Sequence, residues 1–502
     1  MSTQKSGKSA ASRRLRYLLV IPDGTGIRNF FCTPFIDLLL ETGSVHVGHG
    51  LPVASVAPFE SQWGERVTWS RLPSIRDGVF ERAARQSKAS AQIFWQRRSR
   101  GEVPLKLRRP AARFRDRLMA RVTNAAGWLF GGRRRIVWLD RLHRLSASQA
   151  THMPAFRDFI ARMKPDVVFC SHQKSLSAVP AMLAACEADI PTATFIYSWD
   201  NLPKGRMPVH ADHYLVWSNF MRDELLSYYP DVSADSVHVV GTPQFESYSD
   251  SSILESRAAF FAHWKLDSSR PVVCFSGDDP GCSPYDPRFL EDLADAMRSV
   301  PASERPQILF RRSPVDWSNR YDPALKKHPE ITVCDPRWQS LSEGDWSEIV
   351  PMREDVALLV NLVYHADAVV NLGSTMAMDF AAYDKPAIYV AYNPVSGDPH
   401  WNAEDVYRRP HFQSVHELQP VYWVRSREKL AEVVMHAIRN PGEKRSERRA
   451  WLHRHVLQPM GEASERFADE LKRLAIGMKP DMASEPAETL RGGQIRRRAS
   501  TH

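Results

Sequence analysis

Alternation between short apolar segments and helix-length segments is the feature of this sequence that most limits its fold. The apolar segments are rich in Val, Ile and Phe and do not alternate with polar residues, which is typical of strands in a parallel sheet that has helices on both faces. The sequence therefore predicts an α/β protein. A first series of predicted strands comprises residues 17–21, 166–170, 192–198, 213–217 and 236–240. A second series comprises residues 271–276, 307–311, 331–334, 367–372 and 386–391.

A break in this alternation before the second series predicts two Rossmann-like domains with parallel sheets. After Lys479 the composition turns to Pro, Ser, Gly and Arg, which is typical of disorder. We predict a basic disordered N-terminus at 1–16, an N-terminal Rossmann-like domain at 17–250 with a basic helical insertion at about 59–150, a linker at 251–270, a C-terminal Rossmann-like domain at 271–440, C-terminal helices at 441–478 and a disordered tail at 479–502.

The formal net charge of +9 is concentrated in two segments. Residues 1–16 carry five Lys or Arg and no acidic residue, and residues 97–135 carry thirteen against Glu102 and Asp116. Aromatic residues lie among these arginines, which is typical of a surface that contacts an anionic membrane. A solvated helical face is the alternative interpretation. We expect no nucleic-acid partner, because no RNP, zinc-finger or helix-turn-helix signature accompanies the charge.

Six cysteines are scattered without a CxxC pair, and this pattern favours a reducing compartment over a disulfide framework. The apolar segments are all shorter than the roughly 18–20 residues that a membrane-spanning helix needs. We therefore expect a cytoplasmic protein, with peripheral attachment to the inner face of the cytoplasmic membrane as the corollary of the basic segment.

The segment that follows the predicted strand 367–372 has the pattern of a phosphate-binding turn. Gly373 permits a tight turn, and Ser374 is placed to cap the following helix, whose free N–H groups and partial positive charge suit a diphosphate. Asp379 lies one helical turn after Thr375, where it can accept hydrogen bonds from a ribose. The alternative is an ordinary strand–turn–helix with a serine cap.

This segment, GSTMAMDFAAYDKPAI, resembles the nucleotide-binding motif of GT-B-fold glycosyltransferases in the broad UDP-glycosyltransferase/glycogen phosphorylase superfamily. It is similar especially to bacterial surface-polysaccharide and CDP-glycerol-transferase-like proteins. Residues 198–206, 240–243 and 461–467 support the resemblance in the expected order. The resemblance implies two Rossmann-like domains that face each other across a cleft, an N-terminal acceptor domain, a C-terminal nucleotide-donor domain, and a reaction with no metal and no other cofactor. Its donor contacts would come from Gly373, Ser374, Thr375 and Asp379.

Two further segments are donor-binding candidates. Ser276 and Gly277 end the first strand of the second series, where ligands of parallel sheets bind and where a glycine lets a substrate approach the backbone. Arg311 begins an Arg-Arg-Ser-Pro segment at the place where the CDP-glycerol branch has an Arg-Pro-His-Pro-like motif. The histidine is missing, but Arg311 or Arg312 can still contact a phosphate, because a guanidinium can bind phosphate in two places. The alternative for Arg311 is a solvated strand end.

The general base that an inverting sugar transfer needs has three candidates in the N-terminal domain. Asp23 and His172 each follow a predicted strand, and Asp200 lies in the Trp-Asp-Asn segment after the strand 192–198. Each has a structural alternative: Asp23 stabilises a turn, His172 is an ordinary loop histidine, and Asp200 caps a helix or pairs with a nearby cation. Arg28 and Asn29 are candidate contacts to an anionic acceptor.

These features together predict a glycosyltransferase that moves a sugar from a nucleotide-sugar donor to a cell-envelope polysaccharide or a lipid-linked glycan. A transferase of alditol phosphate on the same fold and a sugar-nucleotide epimerase are the enzymatic alternatives. A basic nucleic-acid-binding protein is the alternative outside enzymes.

Overall fold

The computed structural model describes residues 13–102, 114–339, 349–395, 397–399 and 401–477. The chain folds into two α/β lobes, each built on one parallel sheet. We call the half built on residues 15–239 the N-lobe and the half built on residues 257–455 the C-lobe. Of the predicted N-terminal segment, residues 1–12 lie outside the described residues, and so does the predicted tail at 479–502.

The N-lobe contains a seven-stranded sheet with the order β3-β2-β1-β4-β5-β6-β7. Every neighbouring pair in this sheet is parallel. Because the order reverses between β1 and β4, the carboxyl ends of these two strands flank a topological switch point. The strands are β1 (Leu15–Ile21), β2 (Gly43–His49), β3 (Val67–Arg71), β4 (Val167–Cys170), β5 (Thr192–Phe195), β6 (His213–Val216) and β7 (Val237–Val239).

Helices cover both faces of the N-lobe sheet, and three of them, α4, α5 and α6, form most of the predicted insertion. The helices are α1 (Gly24–Phe31), α2 (Phe35–Thr42), α3 (Val53–Trp63), α4 (Val79–Trp95), α5 (Phe114–Phe130), α6 (Ile136–Ser148), α7 (Met153–Met163), α8 (Val179–Glu187) and α9 (Asn219–Tyr228).

The C-lobe sheet has six parallel strands in the order β10-β9-β8-β13-β14-β15, with a switch point between β8 and β13. A separate antiparallel pair, β11 with β12, lies outside this sheet. The strands are β8 (Val272–Ser276), β9 (Gln307–Arg311), β10 (Thr332–Val333), β11 (Trp338–Gln339), β12 (Val350–Pro351), β13 (Ala368–Asn371), β14 (Ala387–Val390) and β15 (Tyr422–Val424). The helices are α10 (Arg257–His263), α11 (Asp286–Arg298), α12 (Asp322–Lys327), α13 (Arg353–His365), α14 (Met376–Ala382), α15 (Ala403–Tyr407), α16 (Gln413–Leu418), α17 (Leu430–Arg439) and α18 (Arg445–His455).

The last helix, α19 (Ala463–Ala475), returns to the N-lobe and packs against α2, β1 and β4. Its Phe467 enters an aromatic cluster with Phe30, Phe35, Phe169 and Phe195 at centroid distances of 5.1–6.2 Å. The second connection between the lobes is therefore fixed by burial of aromatic side chains in the N-lobe core.

Two N-lobe strands, β2 and β3, were not expected from the sequence. β2 contains Gly43, Gly48 and two histidines, so it lacks the continuous apolar pattern of a central parallel strand. β3 is an edge strand in which Val67 is the one buried residue. The helical part of the predicted insertion at about 59–150 consequently begins at Val79, after this strand.

All six cysteines are free thiols, and three of them are buried in the lobes. Among the described residues, the helices fall short of the combined length and apolar content that crossing a bilayer requires.

Candidate active site

The carboxyl ends of both sheets open onto a cleft between the lobes with a volume of about 270 Å³. Side chains from both lobes line this cleft. The N-lobe contributes Thr25, Arg28, Tyr197 and Ser198, and the segment between the lobes contributes Tyr248. The C-lobe contributes Ser276, Gly277, Asp278, Arg311, Arg312, Asp355, Ser374, Thr375 and Asp379. One predicted acceptor residue, Arg28, and six of the predicted donor residues therefore line the same cleft. The six are Ser276, Gly277, Arg311, Ser374, Thr375 and Asp379.

A tight turn joins β13 to α14 at this cleft. Gly373 has a φ of +72°, and a Cβ atom there would lie 2.5 Å from Cζ of Phe412, so the position requires glycine on both counts. The N–H of Ser374 donates to Oδ1 of Asn371 at 3.0 Å, which fixes the turn. A serine cap was predicted here, but Thr375 occupies the cap position, and Ser374 Oγ accepts a 3.4 Å bond from the N–H of Met376.

Asp379 lies on α14 at the floor of the cleft, only 4% exposed. The hydroxyl of Tyr248 donates to its Oδ1 at 2.9 Å. Burial raises the pKa of Asp379 to about 6, although Tyr248, Arg28 and Arg311 oppose the shift. The sequence indicated Asp379 but not Tyr248, which lies in the segment between the two lobes and meets Asp379 only in the folded chain.

Arg311 and Gly277 lie side by side at the ends of β9 and β8. The Gly277 N–H donates to the carbonyl of Arg311 at 2.9 Å, and a Cβ on Gly277 would lie 2.4 Å from the hydroxyl of Tyr321. Glycine was predicted at position 277 because it lets a substrate approach the backbone. The contact with Tyr321 is a second reason, since a larger residue would not fit there. Arg311 binds both carboxylate oxygens of Asp355 at 2.9 Å, in a buried pair at the cleft wall. Arg311 is therefore a buried part of the cleft wall and not a solvated strand end, and its contact to a donor phosphate stays a prediction.

The N-lobe switch point holds two of the predicted catalytic residues in contact. Asp23 caps α1 by accepting hydrogen bonds from the N–H groups of Thr25 and Gly26 at 3.0 and 3.3 Å. Its second oxygen pairs with Nδ1 of His172, and both side chains are buried. Burial alone would raise the pKa of Asp23, but the charge and hydrogen bond of His172 outweigh it, and the pKa lies below its usual value.

His172 lies one side-chain layer away from the cleft. Its ring meets that of Tyr197 edge-on at a centroid distance of 3.9 Å, and Tyr197 lines the cleft. Asn29 is also behind the wall: it is buried, and its Oδ1 accepts from Nε of Arg28 at 3.2 Å. Of the two predicted acceptor contacts, Arg28 therefore faces the cleft, whereas Asn29 supports Arg28.

Asp200 lines a smaller cavity of about 130 Å³ that shares Ser374, Thr375 and Asp278 with the cleft. Lys204 forms an ion pair with Asp200, and the hydroxyl of Ser198 donates to Asp200 at 2.7 Å. Burial favours the neutral acid, but Lys204 outweighs it and holds the pKa of Asp200 well below its usual range. The structure therefore contains the Lys204 pair that the sequence offered as the non-catalytic alternative.

Asp278, Asp279 and Cys282 border the same small cavity, with one potential ligand atom each within 4.8 Å of the others. Burial raises the pKa of the Cys282 thiol, so it is protonated at neutral pH. Oδ1 of Asp279 accepts hydrogen bonds from the N–H groups of Gly281 and Cys282. Asp279 is thus held by hydrogen bonds within its own loop.

Two segments that carried the sequence resemblance meet where the chain crosses between the lobes. Arg466 Nε donates to the carbonyl of Val240 at 3.0 Å, and the Ser464 side chain bonds Glu246. On the cleft side, Nε1 of Trp199 donates to Oγ1 of Thr375 at 3.3 Å and links a third segment to the turn. These contacts bring the segments together at the boundary between the lobes.

Two parallel-sheet lobes that face each other across a cleft, with a last helix that returns to the first lobe, define the GT-B fold. A glycosyltransferase from Rickettsia africae ESF-5 has this fold, with a TM-score of 0.50, 10% identity, and coverage of 92% of this chain and 99% of that chain.

Two further solved structures share the fold. The MnaA protein of S. aureus, solved with UDP, gives a TM-score of 0.51 at 12% identity, with coverage of 92% of this chain and 96% of that chain. A putative UDP-N-acetylglucosamine 2-epimerase from Listeria monocytogenes gives 0.52 at 9% identity, with the same coverage of 92% and 96%. At these identities the comparisons establish the GT-B fold. No protein-family model matches the sequence. Comparison with curated proteins also finds no match.

Proposed function

We propose that this protein is a glycosyltransferase that moves a sugar from a nucleotide-sugar donor to a cell-envelope polysaccharide or a lipid-linked glycan. The observation that carries the proposal is the cleft, where the switch points of two parallel sheets face each other. One switch point presents a glycine turn and a buried carboxyl to the cleft, and the other holds a paired aspartate and histidine behind the ring of Tyr197. Ligands of open parallel sheets bind at such points.

The donor nucleotide is proposed to bind on the C-lobe side of the cleft. The turn at Gly373, Ser374 and Thr375 presents backbone N–H groups to a diphosphate, and Asp379 accepts from the ribose. Arg28 supplies positive charge across the cleft from this turn, since its guanidinium interacts electrostatically with Asp379. The transferred sugar would enter the adjoining small cavity, which is lined by Asp200 and Lys204.

In the proposed reaction the acceptor hydroxyl attacks the anomeric carbon, the bond from that carbon to the diphosphate oxygen breaks, and the nucleoside diphosphate leaves. A general base takes the proton of the hydroxyl. We assign this role to His172, with Asp23 as its positioning residue, because an imidazole held by a buried carboxylate is suited to proton transfer. Asp200 is already neutralised by Lys204 and is a weaker base. The assignment requires that Tyr197 moves aside when acceptor binds.

A sugar-nucleotide epimerase is the second candidate, because the fold is shared with a putative UDP-N-acetylglucosamine 2-epimerase and with a protein solved with UDP. Product analysis separates the candidates. An epimerase converts a nucleotide sugar alone into a second nucleotide sugar. The proposed transferase releases nucleoside diphosphate in amounts equal to the glycosylated acceptor, and an alditol-phosphate transferase would release the nucleoside monophosphate.

The donor site is tested by calorimetric titration with UDP, CDP, GDP, CMP and their sugar conjugates. One nucleoside diphosphate is expected to bind and to raise the melting temperature by mass action. Asp379→Ala is expected to weaken this binding. Asp235→Ala, at an exposed residue of the N-lobe, is the matched control. The donor site is misplaced if Asp379→Ala binds the nucleotide as the parent protein and the control do.

The base assignment is tested by steady-state kinetics once a donor and an acceptor are known. His172→Gln is expected to lower kcat by about 10²–10⁴-fold with little change in donor KM. Asp200→Asn is expected to act mainly on donor KM. The reverse pattern would transfer the base role to Asp200.

A further inference from the structure

The helical insertion of the N-lobe presents an unusual outer surface. Helices α5 and α6 each pack one face against α4. On α5 the buried residues are Thr123 and Gly127, and a Cβ on Gly127 would lie 2.5 Å from Cβ of Ser90 on α4. This close approach fixes which side of α5 faces the protein and which side faces away from it.

Apolar side chains occupy the sides of α5 and α6 that face away from α4. The residues recur at helical spacing, and each is more than half exposed, with Phe114 at 70% and Trp138 at 63%. On α5 they are Phe114, Leu118, Val122 and Leu129, and on α6 they are Trp138, Leu142 and Leu145. A helix of a globular protein normally has polar residues on its outer side. The pattern is therefore that of an apolar face without a partner among the residues that the structure describes.

Arginines surround these apolar residues. Residues 114–145 contain eight arginines and two aspartates. All eight arginines are exposed, and none forms an ion pair with another residue that the structure describes. One of the two aspartates, Asp140, is buried in pairs with Lys88 and Arg206. The outer surface of this region is thus strongly cationic as well as apolar.

Two of the tryptophans lie directly against arginines. The guanidinium of Arg98 lies 5.2 Å from the ring centroid of Trp128, and that of Arg141 lies 5.3 Å from the centroid of Trp138. Large rings beside arginines suit the boundary between lipid headgroups and acyl chains, because the ring enters the apolar layer while the guanidinium stays among phosphates.

We propose that the outer surface of α5 and α6 is a docking surface for an anionic phospholipid membrane. The apolar side chains insert at the headgroup level, and the unpaired arginines bind lipid phosphates. The charge selects this partner over a second copy of the chain, because two such surfaces would repel each other. The inference does not rest on the proposed function, since it uses no residue of the cleft.

Vesicle flotation with the full-length protein tests the proposal. We expect binding to vesicles of phosphatidylcholine with roughly one third phosphatidylglycerol, weaker binding as salt is raised, and little binding to phosphatidylcholine alone. The double variant Leu118→Ser/Trp138→Ser is expected to weaken partitioning by about tenfold or more. Trp317→Ser is its matched control, because Trp317 is 57% exposed on the C-lobe.

A pair of charge-reversal variants distinguishes binding through the α5 and α6 surface from general attraction of a cationic protein to anionic vesicles. Arg117→Glu/Arg121→Glu on α5 is expected to weaken binding by about tenfold or more. Arg162→Glu/Arg449→Glu changes the net charge equally at two exposed arginines elsewhere and is expected to retain most of the binding. Circular dichroism and melting temperature confirm that each variant is folded.

Four results would overturn the proposal. The first is equal binding to neutral and anionic vesicles, or none to either. The second is equal loss in the α5 pair and its control pair. The third is salt-sensitive binding to an RNA oligonucleotide that the serine variant keeps and the α5 charge pair loses, which would make the partner a nucleic acid. The fourth is a dimer in light scattering that Leu118→Ser/Trp138→Ser dissociates, which would make the surface a contact between copies.

Discussion

The two switch points of this molecule have the same topology and opposite contents. In the N-lobe the space beyond β1 and β4 is occupied by the buried pair of Asp23 and His172. In the C-lobe the space beyond β8 and β13 remains open: Gly277 borders the cleft, and Gly373 borders the adjoining small cavity. The comparison shows that the same sheet topology serves two purposes. In the N-lobe it holds a buried charged pair, and in the C-lobe it leaves room for a ligand. The following changes test that contrast, from the largest expected effect to the smallest.

Asp23→Ala should be the most damaging change, because it leaves the His172 ring buried without its carboxylate and removes the cap of α1. Breaking a buried pair in this way costs about 3–5 kcal/mol. Urea unfolding measures the loss. Asp23→Asn keeps an acceptor for the N–H groups of Thr25 and Gly26 and should recover about 1 kcal/mol of it. Unfolding of the alanine variant at the urea concentration of the parent would show that the pair does not stabilise the N-lobe.

Asp379 should make the stability of the C-lobe depend on pH. Its pKa of about 6 lies above that of an unfolded aspartate, so the folded protein holds this proton more tightly. The resulting stabilisation is present below about pH 4 and is lost as pH rises through about 6.

Asp379→Asn imitates the neutral acid and keeps an acceptor for Tyr248. It is expected to match the parent at about pH 4 and to exceed it above pH 7 by up to about 3 kcal/mol. Melting temperatures across this range, with Asp235→Asn as the exposed control, measure the difference. A constant difference between the two variants at every pH would contradict the role of Asp379.

Gly373→Ala tests the turn at the open switch point by straining its backbone and its contact with Phe412. A Cβ at a φ of +72° and 2.5 Å from Phe412 should cost about 1–3 kcal/mol of stability and should abolish nucleotide binding. Gly442→Ala is the control, because a Cβ there meets no atom within 4 Å. Chemical unfolding and calorimetric titration are the measurements. If the alanine variant bound nucleotide normally, the turn would have no part in the donor site.

Ser374→Ala should have the smallest effect. It removes one hydroxyl from the turn and should weaken nucleotide binding by about 3–10-fold with little loss of stability. Calorimetric titration at fixed salt measures the change, and Ser233→Ala on the exposed surface of the N-lobe is the control. An unchanged Kd would show that the Ser374 hydroxyl does not contact the nucleotide and would leave the backbone N–H groups as the contacts of the turn.

Continuous apolar strands made most of the two sheets predictable, but β2, β3 and β15 were not predicted. β2 and β3 contain glycine, histidine and polar side chains instead of a continuous apolar pattern, and β15 has three residues. Site residues that closely follow a predicted strand, such as Asp23, His172 and Gly373, could be predicted from the sequence, because the end of an apolar segment marks the end of a strand. Contacts between distant segments were not: Tyr248 meets Asp379, Asp355 meets Arg311 and Phe412 meets Gly373 only after folding. Local patterns indicate where a strand ends, but they carry no information on which distant side chain lies beside that end.

The paired crossings between the lobes, in contact through Val240 with Arg466 and Glu246 with Ser464, restrict how the lobes can move. A single connection would allow free rotation of one lobe about it. Two adjacent connections leave one easy motion, a hinge opening about the axis that joins them, and resist twisting. Opening and closure of the cleft should therefore change its width while the two switch points stay in register.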